Sequence, residues 1–141
     1  MNTETVENKR EIGRRFENYT ADWLKSQGYK ILKQNYEAGH KEIDIIAMKK
    51  STICFVEVKA ERLTTDNANR DEPPEKITVT KMRNIVFAAA DYVEELRRNK
   101  IAPEEFNYRF DGVGILFDSE YNVREFKYFK ELYKVDEESF L

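Results

Sequence analysis

Residues 42–60 read EIDIIAMKKSTICFVEVKA, and the fold follows from how they are read. Two apolar runs, EIDIIAM and TICFVEVKA, are separated only by Lys49, Lys50 and Ser51. β-Branched and aromatic residues dominate both runs, as strands require. A connection this short cannot carry a crossover, so the two strands form an antiparallel hairpin. Yet Asp44, Glu57 and Lys59 stand inside runs that otherwise bury Ile, Val and Phe.

Side chains alternate along a strand. Asp44 therefore shares a face with Glu42, Ile46 and Met48, and Glu57 and Lys59 share one with Ile53 and Phe55. A two-residue turn at Lys50–Ser51 pairs Lys49 with Thr52, and the same register sets Asp44 opposite Glu57. Facing Cβ atoms lie roughly 5 Å apart, and two carboxylates at that separation repel by about 3 kcal/mol at an effective dielectric near 20. Three arrangements relieve this: a shared proton, neutralisation by Lys59, or a divalent cation held by carboxylate oxygens, the donors Mg²⁺ and Mn²⁺ prefer. The competing reading is a solvated face on which Lys59 makes a surface ion pair.

Outward from the hairpin, the preceding segment NKREIGRRFENYTADWLKSQGY carries Ile12, Phe16, Tyr19, Trp23 and Leu24 at helical spacing, with Gly28 as its stop. Glu17 lies one residue off that stripe, in line with Gly13, Ala21 and Leu24, and so edges the buried face. YKILKQNY reads as a strand. After the hairpin, residues 61–76 are polar, contain Pro73–Pro74, and read as a loop. A second helix over ITVTKMRNIVFAAADYVEELRRNK has the stripe Val79, Met82, Val86, Ala89, Val93 and Leu96. NYRFDGVGILFD and NVREFKYFKELYKV read as strands, and DEESFL as a tail. The sum is one domain, residues 1–141, of α/β class: a mixed sheet with helices on one or both faces.

The 141 residues suit one compact domain, with 40% hydrophobic residues for a core and 36% charged residues for a solvated surface. The net charge of −3, from 24 basic and 27 acidic residues, excludes a basic nucleic-acid coat and confines any such contact to a local patch. No apolar run is long enough to cross a bilayer, and MNTETVENKREIG lacks the apolar segment of an export signal. The expectation is a cytoplasmic protein without a membrane partner. The single cysteine, Cys54, faces away from Glu57 and reads as a small core residue. His40 reads as a solvated loop residue, and Arg109 with Asp111 as a structural ion pair.

EIDIIA followed by FVEVKA resembles the Asp…Glu-x-Lys signature of the PD-(D/E)XK nuclease superfamily. More closely, the chain resembles the YraN-like family of small proteins related to Holliday-junction resolvases. That likeness rests on Gly13, Glu17 and Ala21 in GRRFENYTA, on Gly28 and Asn35 around GYKILKQN, on Asp44, Glu57 and Lys59, and on Lys81 and the RFD of residues 109–111. It departs at Phe16 and Lys41, where the family usually has Gly, and at Glu61, which separates the motif from Arg62. The resemblance implies a restriction-endonuclease-like mixed sheet flanked by helices. It implies Mg²⁺- or Mn²⁺-dependent hydrolysis of phosphodiester bonds in DNA, with branched or structured DNA as the expected substrate.

By the same resemblance Asp44 and Glu57 hold the metal, Glu17 reaches it from the first helix, and Lys59 positions the attacking water. A homodimer is the assembly that related resolvases suggest. The candidate nucleic-acid contacts are Arg14 and Arg15 on the first helix, Arg62 behind the motif lysine, and Lys81, placed where a helix N-terminus favours phosphate. Two other readings stay open: a non-catalytic nucleic-acid-binding module that keeps the nuclease fold, and a protein-interaction module.

Overall fold

The computed structural model describes residues 6–71 and 78–141; the Pro73–Pro74 pair of the expected loop lies outside them. Helix α1 (Val6–Ser26) leads to strands β1 (Lys30–Ala38), β2 (Lys41–Lys49) and β3 (Thr52–Arg62). Helix α2 (Val79–Arg98) follows, then β4 (Asn107–Phe117) and β5 (Val123–Tyr133), with single 3-10 turns at Pro103–Glu105 and Glu137–Ser139. The five strands form one sheet in sequence order, with β3 and β4 parallel and all other neighbours antiparallel. This is a mixed α/β architecture consistent with the restriction-endonuclease-like fold.

α1 ends where the sequence stops it. Gly28 takes φ +92°, a value that costs glycine little. The amides of Gly28 and Tyr29 return to the carbonyls of Lys25 and Leu24, both at 3.0 Å, which satisfies the helix's last carbonyls. α2 starts at the cap Thr78, whose hydroxyl accepts from the Lys81 amide at 3.2 Å.

The helices take opposite faces. Phe16, Ala21 and Leu24 of α1 pack on Ile45, Ala47, Cys54, Val56, Val113 and Ile115. Ile85, Ala88, Ala89, Tyr92, Val93 and Leu96 of α2 pack on Ile43, Ile46, Ile53, Phe55 and Phe110. Phe16, a departure from the family pattern, is buried and stacks on Phe117 at 4.6 Å; its ring fills the core between α1 and β4. Cys54 is fully buried, and burial pushes its thiol up to about 12.

Four sequence expectations change. Val79 is 61% exposed, because the first turn of α2 carries no buried residue and the buried stripe begins at Ile85. Tyr19 is 44% exposed and only leans on Phe126 of β5. β3 runs on through Glu61 and Arg62, paired with Leu116 and Phe117, so the loop begins at Leu63. The tail is not loose: Phe140 is buried against Tyr108 and Phe110.

Asp111 is the fold's buried polar anchor. It accepts from Arg109 Nε at 2.9 Å, from the Tyr128 hydroxyl at 2.6 Å and from the Glu131 amide at 2.8 Å. Arg109 also donates to the Tyr29 hydroxyl at 2.7 Å, so the network joins β4 and β5 to the end of α1. Asp111→Ala leaves the Tyr128 hydroxyl and the Glu131 amide unpaired and takes the counter-charge from Arg109, which keeps its bond to Tyr29. It is expected to cost about 3 kcal/mol or more in urea unfolding; a cost under about 1 kcal/mol would show the network to be incidental.

Candidate active site

The site forms where the hairpin opens. β2 and β3 pair from Lys49 opposite Thr52 to Ile45 opposite Val56, in the register the two-residue turn requires, with Lys50 at φ +55°. The next pair would be Asp44 opposite Glu57. There the ladder stops: β2 stays with β1 down to Lys41, and β3 stays with β4 up to Arg62. Asp44 Oδ2 instead accepts the amide hydrogen of Val58 at 2.8 Å. A carboxylate thus takes the place of a strand carbonyl, and the sheet splits at its acidic pair.

β1 bends at the same level. Asn35 faces Asp44 across the β1–β2 ladder, between the pairs Gln34–Ile45 and Tyr36–Ile43, and takes φ +53°. The strand alternation of β2 also fails there, since Ile43 and Ile46 both belong to the α2-side core while Ile45 faces α1. The twist carries Asn35 and Glu42 toward α1, which contributes Glu17. Oxygen atoms of Glu17, Glu42 and Asp44 lie within 4.8 Å of one another. With its amide nitrogen turned to the acids, Asn35 donates to Glu17 Oε1 at 2.8 Å and to Glu42 Oε1 at 3.1 Å.

Glu57 sits deeper, 5% exposed, and Asp44 links it to the outer acids. Its Oε1 lies 3.2 Å from Lys81 Nζ, which reaches in from the first turn of α2. Its Oε2 is buried with no hydrogen-bond partner. Burial, and then the charge of Asp44, pushes the Glu57 carboxyl up to about 9, with Lys81 opposing. Burial, then Asp44 and Glu42, pushes Glu17 up to about 8. Glu42 is also raised, by burial and by the charges of Asp44 and Glu37, its partner across the strand pair. For Lys81, burial disfavours the ammonium but Glu57 outweighs it, and its pKa ends above the ordinary value.

The donor set fits a hard divalent cation. It is all oxygen, and it includes a buried Glu57 oxygen with no hydrogen-bond partner, a group completed either by a proton shared with Asp44 or by a cation that displaces that proton.

The other expected residues divide. Lys59 is half-buried and lines a cleft of about 450 Å³ with Glu17, Lys9, Gly13, Arg62 and Phe117. Arg14 lines a neighbouring cleft of about 500 Å³ that Glu17, Asn35 and Glu42 share. Arg62 lies over the rings of Phe117 and Tyr121, 5.4 and 5.1 Å from their centroids, and donates to the Tyr121 hydroxyl at 3.1 Å. Arg15 is exposed and lines neither cleft. His40 is exposed in the β1–β2 turn. Glu42 and the clamping role of Asn35 were not singled out from sequence; the signal for Glu42 was its place two residues from Asp44.

The chain matches the sequence profile of the uncharacterised protein family UPF0102 over residues 16–115. It is 41% identical over 105 residues to a UPF0102 protein of Chlorobium chlorochromatii (strain CaD3), covering 74% of each chain. It is 36% identical over 107 residues to one of Chloroherpeton thalassium (strain ATCC 35110 / GB-78), covering 76% of each. A UPF0102 protein of Caldicellulosiruptor saccharolyticus (strain ATCC 43494 / DSM 8903 / Tp8T 6331) is 33% identical over 126 residues, 89% of this chain and 99% of the relative. The chain belongs to the UPF0102 family, which is the YraN-like, PD-(D/E)XK-related family that the motifs resemble. Asp44, Glu57, Lys59 and Lys81 all fall inside the matched residues, whereas Arg14 and Arg15 precede them.

The raised carboxyls make stability pH-dependent. An unfolded glutamate titrates near 4.5, while Glu57 in the folded chain holds its proton to about 9. Without divalent ions, the contribution of Glu57 to stability is therefore greatest at low pH and is lost as pH rises between those values. Glu57→Gln removes that loss. In EDTA at pH 8 the variant is expected to melt at least about 3 °C above the native chain, with little difference at pH 5. Parallel melting curves at both pH values would contradict the assignment.

Proposed function

We propose that this chain is a Mg²⁺- or Mn²⁺-dependent endonuclease that hydrolyses phosphodiester bonds in DNA, with branched or structured DNA as its preferred substrate. The observation that carries the reading is the orphaned Glu57 Oε2, buried beside Asp44 in the opened hairpin. In the free chain a proton shared with Asp44 completes such a group, and a divalent cation takes that proton's place. In this reading Asp44, Glu57 and Glu17 hold the metal. When bound, the cation supplies an acidified water and neutralises charge on the phosphate.

The remaining roles belong to the chain. Lys59, in the cleft that Glu17 also lines, orients the water and offsets phosphate charge. Lys81 keeps Glu57 aimed inward. Arg14 and Arg62 line the two clefts that meet at Glu17 and are the phosphate contacts; Arg15 is a contact only for DNA that extends along α1. A net charge of −3 makes such contacts local, so binding weakens steeply with salt. Among the described residues no helix is long and apolar enough to cross a membrane, and the cytoplasm, where DNA resides, is the proposed location. A symmetric homodimer is the assembly that would address two strands.

The test is cleavage of duplex, flap and four-way-junction DNA in Mg²⁺ and Mn²⁺, with Glu57→Ala as the control. The native chain is expected to cut at least one form, with the variant at least about 100-fold slower. Equal products from both would sink the nuclease reading. Gel shifts in EDTA without cleavage on adding metal would instead favour a non-catalytic DNA-binding module.

A further inference from the structure

Helix α2 meets the sheet through the stripe that begins at Ile85. On its outer side Val79, Arg83, Phe87 and Asp91 follow one another at intervals of four and form a single ridge. Val79 and Phe87, 61% and 59% exposed, are the most exposed large apolar side chains among the described residues. Isolated exposed apolar residues are ordinary on a protein surface. Here the two share one ridge, and half-buried Val86 and Ala90 floor the groove beside it.

The charges on that ridge are ordered. Arg83 stands one turn before Phe87 and Asp91 one turn after it. Among the described residues Arg83 forms no ion pair, and Asp91 forms none with a base; it accepts only the Tyr36 hydroxyl, at 2.5 Å. The acids that follow are matched within the chain, Glu94 by Arg97 and Glu95 by Lys33. A two-fold axis through Phe87 maps cation, ring and anion onto their own reverse. Ring then meets ring, and each Arg83 faces the partner's Asp91. Helices that cross at about −50° lay such ridges side by side, in the register this pairing needs. A phosphate backbone suits the strip less well, because Asp91 and Glu94 would repel it.

We propose that the outer face of α2 is a homodimer interface, on which a second copy of this chain packs about a two-fold axis at Phe87 with Arg83 of each copy paired to Asp91 of the other. The inference deepens the nuclease reading, which calls for a symmetric pair, and it rests on that reading for the use of the dimer but not for the contact. Lys81, 3.2 Å from Glu57, lies on the same helix as Phe87. It precedes Phe87 by about 9 Å along the helix axis, so the two candidate sites flank the two-fold axis.

The test is sedimentation velocity on the full chain, without DNA or metal. A contact of one helix pair is small and weak, so the native chain is expected to pass from monomer to dimer between about 5 and 200 µM. Arg83→Asp and Asp91→Lys are each expected to weaken association at least about 10-fold. An equimolar mixture of the two is expected to recover dimer to within about 3-fold of native, because each interface then joins opposite charges again. Asp91→Lys gives up the Tyr36 bond, so Phe87→Asp, at a position whose side chain makes no hydrogen bond, is the second variant and is expected to stay monomeric. A native chain that is monomeric throughout, variants that dimerise like it, or a mixture that stays monomeric while Phe87→Asp dimerises would each overturn the proposal. A monomer whose DNA binding falls with Arg83→Asp would overturn it in favour of a DNA contact on this face. None of these outcomes touches the nuclease reading, which metal-dependent cleavage tests separately.

Discussion

One hydrogen bond sets the geometry of this protein's site: the Val58 amide donating to the side chain of Asp44. In an unbroken hairpin that part of β3 would be paired with β2. Because a carboxylate takes the amide, β2 and β3 separate just past Ile45–Val56, and the space between them is where the acids gather. The bond also holds Asp44 in the gap, against the repulsion of Glu17 and Glu57. A charge-assisted bond to a backbone amide contributes about 1.5–3 kcal/mol, comparable to the repulsion of about 3 kcal/mol between two such carboxylates. The opening is therefore sustainable without a ligand, provided the acids share protons.

The rest of the fold supplies the rigidity this requires. Each helix clamps one face of the sheet on either side of the split, α1 through Phe16 and Leu24, α2 through Ile85 and Tyr92. Each of these buried side chains is worth about 1.5–3 kcal/mol, so a few of them offset the strain at the site. The same helices deliver the remaining charged groups. Glu17 comes from the edge of the buried stripe of α1, and Lys81 from the first turn of α2, ahead of the stripe that packs. Opposite faces of the sheet thus bring an acid and a base to the one place where the sheet is open.

Much of this could be read from residues 42–60. The short turn dictated an antiparallel pair, and period-2 alternation placed Asp44 and Glu57 together; the register came out as required, and both acids are buried. Glu17 was legible as the helix residue beside the buried stripe, and Gly28 as the helix stop. What alternation cannot show is its own failure. The left-handed turn at Asn35 and the twist at Ile43 depend on the meeting of β1, β2 and α1, and they turn Glu42 into a member of the site. The first turn of α2 departs from its sequence pattern for a related reason. Val79 continues the helical period, but the core against which the period would pack has already ended.

The central claim is that these buried acids hold protons until a divalent cation takes their place. Calorimetric titration of Mn²⁺ into the native chain at pH 7, repeated in buffers of different ionisation enthalpy, counts the protons released on binding. Glu17 and Glu57, held to about 8 and about 9, are both protonated at that pH. Release of about one to two protons per chain is therefore expected, with binding and release both lost in Asp44→Asn. Mn²⁺ binding with no proton release, or binding unchanged in Asp44→Asn, would contradict the account.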